Sequence, residues 1–192
     1  MSVKTIYVKK LAVLIVFSAL GVAIAPFFWF WFLGTKAYPT QHMINAILGV
    51  LLGPFWAAVA AIFIGIIRNM FGIGTFYAFP GGIPGGIVVG VVYWLLKRFR
   101  LNSKICLVAA LSEPIGTLLI GAPLSVLIVM GAPYLGTEKV LNLLGENGFF
   151  LTSLILMGGW ALSCVPGSII GFVILLVLNK VGISKETLFG EK

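Results

Sequence analysis

Few side chains in this sequence can do polar chemistry, and they come in groups. Gln41, His42 and Asn45 stand together in YPTQHMINAILGVLLGPFW, from Tyr38 to Trp56. His42 is the single histidine, and all five acidic residues are Glu. Spacings of three and four put the three polar residues on one helical face. A second group lies in IRNMFGIGTFYAFPGG, where Arg68 and Asn69 precede a loop rich in glycine and aromatics that carries Thr75 and Phe79. A third is Glu113 in SEPIGT, with Thr117 one turn further on the same face; Trp160 falls at a similar depth in the last apolar span. These side chains donate and accept hydrogen bonds and stack on rings. One histidine and no Asp leave little for catalysis, so the chemistry points to binding. Blander readings stand beside each residue: Gln41 as a cap, Arg68 snorkelling to water, Glu113 as a partner of Arg68 or a protonated acid bonded to a neighbouring helix, the glycine-rich loop as a plain turn, Trp160 as packing.

The elements that must hold these groups are membrane helices. The chain is 60% hydrophobic and 9% charged, against about 25% charged in a soluble domain, and its mean hydropathy is +1.15. Runs such as Leu11–Leu33 and Phe149–Leu178 exceed the roughly 20 apolar residues that cross a bilayer. The 192 residues make one all-α, polytopic transmembrane domain. KKLAVLIVFSALGVAIAPFF resembles a signal peptide, but its apolar stretch continues through FFWFWFL, so it reads as a retained first helix. Gly and Pro divide the rest into spans at about 10–33, 41–52, 54–71, 80–97, 104–131 and 150–179. Without a turn at Gly53–Pro54, residues 41–71 would form one helix of about 46 Å, too long for a hydrocarbon core of about 30 Å. With the turn and a cytoplasmic N-terminus, the inner side receives Lys4, Lys9, Lys10, Lys97, Arg98, Arg100, Lys104, Lys180, Lys185 and Lys192, ten of the 13 basic residues, as the positive-inside rule requires. The expectation is six helices with both termini cytoplasmic. The outer connections are then Gly34–Thr40, Gly72–Phe79 and roughly Gly131–Gly148, the last holding a segment, GTEKVLNLLGEN, able to form a short helix on the membrane. Glu113 falls near mid-membrane, where an ionisable group marks a functional site by default. Pro114 beside it frees a carbonyl and permits a kink.

Several functions are excluded or disfavoured. The net charge of +8 is scattered between apolar spans rather than gathered into a nucleic-acid surface. Cys106 and Cys164 lie inside apolar segments and indicate neither disulfides nor zinc; no metal site is expected. There is no G-x-x-x-x-G-K-[ST], so this chain cannot hydrolyse ATP through a P-loop, and no H-E-x-x-H or G-x-S-x-G. A proton-coupled secondary transporter using Glu113 is the main rival to a binding protein, but no internal repeat or matched pair of broken helices supports it. An intramembrane enzyme using Glu113 and His42 is the catalytic alternative.

PTQHMINAILGVLLGP, IRNMFGIGTFYAFPGG and SEPIGT together resemble the ThiW family, among the substrate-binding S-components of energy-coupling-factor (ECF) vitamin transporters, over about residues 10–180. The resemblance implies a six-helix prokaryotic membrane protein with an outward site under the loops after helices one, three and five. It implies a membrane T-component and two cytoplasmic ATPases as partners, ATP being used by those subunits and no cofactor by this chain. It implies a thiamin precursor, hydroxyethyl-methylthiazole, as ligand, with Gln41, His42, Asn45, Arg68, Asn69, Thr75, Phe79, Glu113, Thr117 and Trp160 as candidate binding residues. Thiamin itself or its pyrimidine precursor stays open on chemical grounds. Members present an A-x-x-x-A face on helix one to the T-component; Ala19 and Ala23, with Ala12 one heptad earlier, supply one here. Packing within the bundle is the alternative, and Ala57 and Ala61 match the same pattern.

Overall fold

The computed structural model describes residues 2–33 and 35–190. Gly34 of the first outer connection and Lys192 of the basic set lie outside them. Helix α1 spans Val3–Ile24, capped by the Ser2 side chain, which accepts from Thr5 N–H. It begins well before residue 10 and stops well before 33. The cause is Pro26, which has no N–H to continue the ladder; a short 3-10 turn, Ala25–Phe27, follows instead. The aromatic run after it favours extended backbone and forms the first strand of a small antiparallel hairpin, β1 (Phe30–Phe32) and β2 (Thr35–Ala37). This hairpin is the departure from an all-helical chain.

Helix α2 is Pro39–Leu52 and α3 is Pro54–Met70, each with proline in its first turn. They are separate helices, because Gly53 between them has φ 91°, a conformation that glycine adopts without a Cβ penalty. Helix α4 is Ala78–Arg98. Helix α5, Ser103–Gly131, is irregular: a 3-10 stretch at Leu107–Ser112 and a π-helical stretch at Ile115–Gly121 flank Glu113 and Pro114. Helix α6 runs Glu138–Lys180 through a break at Gly148 (φ 67°), so the segment before Gly148 is helical and leads into the long apolar span. A short α7 (Lys185–Phe189) follows. Among the described residues, four spans are long and apolar enough to cross a membrane: Val3–Phe27, α4, α5 and α6. Helix α3 is a shorter apolar helix. Helix α2, with 14 residues, is about 21 Å long, short of a hydrocarbon core. The chain is thus a helical bundle of multi-pass membrane type, with apolar side chains such as Val16, Leu119, Leu127, Leu162 and Val173 exposed around it.

The short helix is the central one. Every residue from Thr40 to Leu52 is buried, and α2 packs against α1, α3, α4, α5 and α6. Glycines let the neighbours come close, the small-residue contact that drives helix packing in lipid. A Cβ on Gly171 of α6 would lie 2.8 Å from the Ala46 Cβ and 2.9 Å from the Met43 carbonyl oxygen, and one on Gly167 would lie 2.8 Å from the His42 Cβ. Gly49 of α2 does the same toward α4: a Cβ there would lie 2.6 Å from Val89 Cγ1. On α1, Leu14, Ser18 and Gly21 face the bundle, whereas Ala12, Ala19 and Ala23 are exposed. Ala57 and Ala61 are buried.

The two ends of the bundle differ. At one, α7 is tied to the start of α1 and the end of α4. Lys9 Nζ donates to the Leu188 carbonyl (3.1 Å), Lys10 lies over the Phe189 ring, and Lys97 Nζ meets Glu186 Oε1 at 2.8 Å beside Ser103. Burial pushes the Glu186 carboxyl up. Hydrogen bonds from Lys97, its own backbone N–H, Ser103 and Ser184 outweigh this and hold it at about 2. The other end carries the polar groups. Gly171→Leu is expected to prise α6 from α2 and destabilise the protein by about 1–3 kcal/mol, read as a lower melting temperature in detergent; an unchanged transition would show that this contact does not set the packing.

Candidate ligand-binding site

The site is built on the first half of α2. Because α2 is surrounded by protein, Gln41 (4% exposed), His42 (8%) and Asn45 (1%) never face lipid, and each must find a polar partner in the bundle. They find it on α4 and α5. Gln41 Nε2 donates to the Ala78 carbonyl (3.0 Å) and Asn45 Nδ2 to the Gly82 carbonyl (2.9 Å). From α5, Thr117 Oγ1 lies 2.8 Å from the Gly81 carbonyl. These approaches need the glycines of FPGGIPGG: a Cβ on Gly82 would overlap the Gln41 amide, and one on Gly85 would overlap Glu113 Oε1. The glycines therefore form a helix surface without side chains, and only Gly81 and Gly82 also reach the pocket.

Glu113 is completely buried. Its Oε1 lies 2.8 Å from His42 Nδ1, 3.3 Å from Asn45 Nδ2 and 2.8 Å from Thr117 Oγ1. Its partner is thus His42 and not Arg68. The break from 3-10 to π geometry at Pro114 sits beside this carboxylate, as local helix irregularities at functional positions commonly do. His42 Nε2 lies 3.4 Å from Ser163 Oγ, which donates to the Trp160 carbonyl (2.9 Å). Arg68, 2% exposed, donates through Nη1 to Gln41 Oε1. Its guanidinium lies 3.5 Å over the centre of the Tyr38 ring, and the Tyr38 hydroxyl donates to the Ile73 carbonyl. Burial raises the pKa of both Tyr38 and Tyr77 above the ordinary phenol value, with Arg68 opposing at Tyr38 and Thr137 at Tyr77; both phenols stay neutral at physiological pH.

Above the buried pair lies an open pocket of about 440 Å³, its mouth included. Gln41, His42, Arg68, Thr75, Tyr77, Trp160 and Ser163 are among its lining residues. The Tyr77 and Trp160 rings stand edge to face, centroids 6.2 Å apart. Three connections meet around the opening: the β1–β2 hairpin, the turn after α3, and the segment after α5. Thr137 of that last segment joins them, its N–H bonded to the Tyr77 hydroxyl (3.3 Å) and its Oγ1 to the Leu33 carbonyl (3.0 Å).

Of the residues singled out in the sequence, Gln41, His42, Arg68, Thr75 and Trp160 line the pocket, and Asn45, Glu113 and Thr117 form the hydrogen-bonded layer beneath it. Two are placed otherwise. Asn69 turns its amide onto the Gly65 carbonyl of its own helix (2.7 Å) and the Thr75 carbonyl (3.3 Å), holding the turn after α3. Phe79 packs against Gly65 and is not among the pocket residues. Among the lining residues not singled out from sequence, those with polar or aromatic side chains are Lys36, Tyr38, Tyr77 and Ser163. Tyr77 lies in the aromatic loop already noted; Ser163, three residues from Trp160, carries no signal of its own in an apolar span.

A family model described as thiamine-precursor transporter protein (ThiW) matches residues 11–181. The chain belongs to the ThiW family. It is therefore a membrane transporter of the thiamine-precursor class and not an enzyme. No curated protein and no solved structure matches it. Within the ThiW frame, the pocket has the build of a small-molecule site, largely apolar with a few placed polar groups. His42 stands at its floor with one ring nitrogen on Glu113, so His42→Ala is expected to weaken binding of a thiamin precursor by more than roughly tenfold, the loss of about one good polar contact, in protein that still elutes as a folded species. Near-normal affinity by calorimetry would place the ligand elsewhere.

Proposed function

We propose that this chain is the substrate-binding component of an ATP-driven ECF importer and captures hydroxyethyl-methylthiazole from outside the cell. The observation that carries the reading is the open pocket walled by Tyr77 and Trp160 and floored by His42 over Glu113, in a chain of the ThiW family. The edge-to-face pair of Tyr77 and Trp160 offers an aromatic wall against which a flat heteroaromatic ring can pack. A ring nitrogen and a short polar tail match donors of the kind His42, Gln41 and Arg68 present. The pocket end faces outward and the basic end faces the cytoplasm, because Lys9, Lys97, Lys104 and Lys180 belong to the latter; the whole chain, 1–192, is one membrane domain crossing six times. The chain is read as a binding subunit because no P-loop stands in its sequence, so a T-component and two ATPases supply the energy. The exposed Ala12, Ala19 and Ala23 on α1 support docking of that face on the T-component, whereas the buried Ala57 and Ala61 are core packing.

A second reading draws on the 2.8 Å contact between His42 and Glu113. A paired imidazole and carboxylate at the floor of a site is what a proton-coupled transporter would use. Uptake in cells separates the two. Uptake that disappears without the ATPase partners while binding to this chain persists supports the importer; uptake by this chain alone, abolished by a protonophore, supports proton coupling. Ala19→Trp is expected to reduce coupled uptake several-fold while leaving equilibrium binding intact, and unaffected uptake would move the docking face elsewhere.

A further inference from the structure

Arg68 poses a charge problem that a neutral thiazole does not solve. It is buried, it lines the pocket, and its Nε has no hydrogen-bond partner. No carboxylate among the described residues pairs with it. Its contacts are all with neutral groups: the Gln41 amide oxygen and the face of Tyr38, whose hydroxyl spends its proton on Ile73. A buried cation is costly unless it is paired.

The nearest acid does not supply the missing charge. Glu113 gives its bonded oxygen to His42, Asn45 and Thr117 in the layer beneath the pocket, and Arg68 is not among its partners. Among the residues that line the pocket, Arg68 and Lys36 are cationic and none is a carboxylate; the Lys36 ammonium sits 4.5 Å from the centre of the Trp29 ring. The guanidinium is also held in place before any ligand arrives, by Gln41 on one nitrogen and Tyr38 on one face. A guanidinium so fixed is suited to an anionic oxygen group, which it can meet with two parallel hydrogen bonds.

We propose that the pocket takes its ligand as an anion: a thiazole whose side chain ends in a phosphomonoester or a carboxylate, with the anionic group on Arg68. This rests on the reading that the pocket is the ligand site, and it changes the substrate class from a neutral alcohol to a charged precursor. The source of charge is left to the experiment. The purified protein in detergent is titrated by calorimetry with hydroxyethyl-methylthiazole, with its phosphate ester, and with the carboxymethyl analogue. At least one anion is expected to bind at least about tenfold more tightly than the alcohol, the scale of one charge-assisted contact. A preference for the ester alone identifies phosphate; a preference for both, or for the acid alone, identifies the carboxylate as sufficient. Arg68→Gln is expected to abolish the difference between anion and alcohol, and Arg68→Lys to keep part of it. Should Arg68→Gln not fold, the comparison of the three ligands on the unaltered protein still decides, and Arg68→Lys gives the second readout. Binding of the alcohol as tightly as either anion would overturn the proposal and leave the pocket standing as a neutral-ligand site. Binding of none of the three to folded protein would overturn the pocket reading with it.

Discussion

One buried carboxylate organises this bundle. Glu113 puts a single oxygen within reach of His42, Asn45 and Thr117, side chains drawn from two helices, and is itself completely buried. An acid in that position is tolerable only if its partners are fixed. The requirement spreads outward from there. Helix α2 must be enclosed so that its polar face meets protein and not lipid. Helix α4 must present glycines, because a Cβ at Gly85 would displace the carboxylate itself. Helix α5 leaves regular α geometry on either side of Glu113 and Pro114, with Glu113 and Thr117 aimed at the same place. The short central helix, the glycine-surfaced α4 and the irregular α5 are three consequences of one constraint.

The pocket inherits its character from that layer. Its floor is His42, oriented through one nitrogen by Glu113 and through the other by Ser163. Its wall is Arg68, oriented by Gln41 and Tyr38. Both polar groups are thus held before a ligand enters, which lowers the ordering cost of binding. The mouth is made differently: a two-stranded hairpin, a turn held by Asn69, and a segment joined to both through Thr137. Those elements are short strands and turns, whereas the floor lies among packed helices.

Much of this was legible in the sequence because membrane helices carry few polar residues and each stands out. The spacing of Gln41, His42 and Asn45 placed them on one face. The depth of Glu113 marked it as costly, and the glycines and prolines marked where spans end. What was not legible depends on partners. Glu113 read equally well as the mate of Arg68, and only the relative rotation of α2 and α5 gives it His42. Asn69 carries the chemistry of a ligand-binding residue but bonds its own turn. Ser163 looks like any small residue in an apolar run. The Phe–Trp run after Pro26 looks like the end of a helix, since apolar character alone does not separate strand from helix over so few residues. The glycines of α4 carry no side-chain signal; their function is to let Gln41, Asn45 and Glu113 approach the helix.

The central claim is that thiamin-precursor binding occurs in the pocket above the His42–Glu113 pair. Trp160 lines that pocket and the other four tryptophans do not, so the most direct measurement is fluorescence of a variant that keeps Trp160 and carries Phe at Trp29, Trp31, Trp56 and Trp94. Titrated with hydroxyethyl-methylthiazole and its anionic forms, this variant should show a saturable change in Trp160 emission that follows the calorimetric isotherm. Saturable heat with an unaltered Trp160 signal would put the ligand somewhere else and contradict the account.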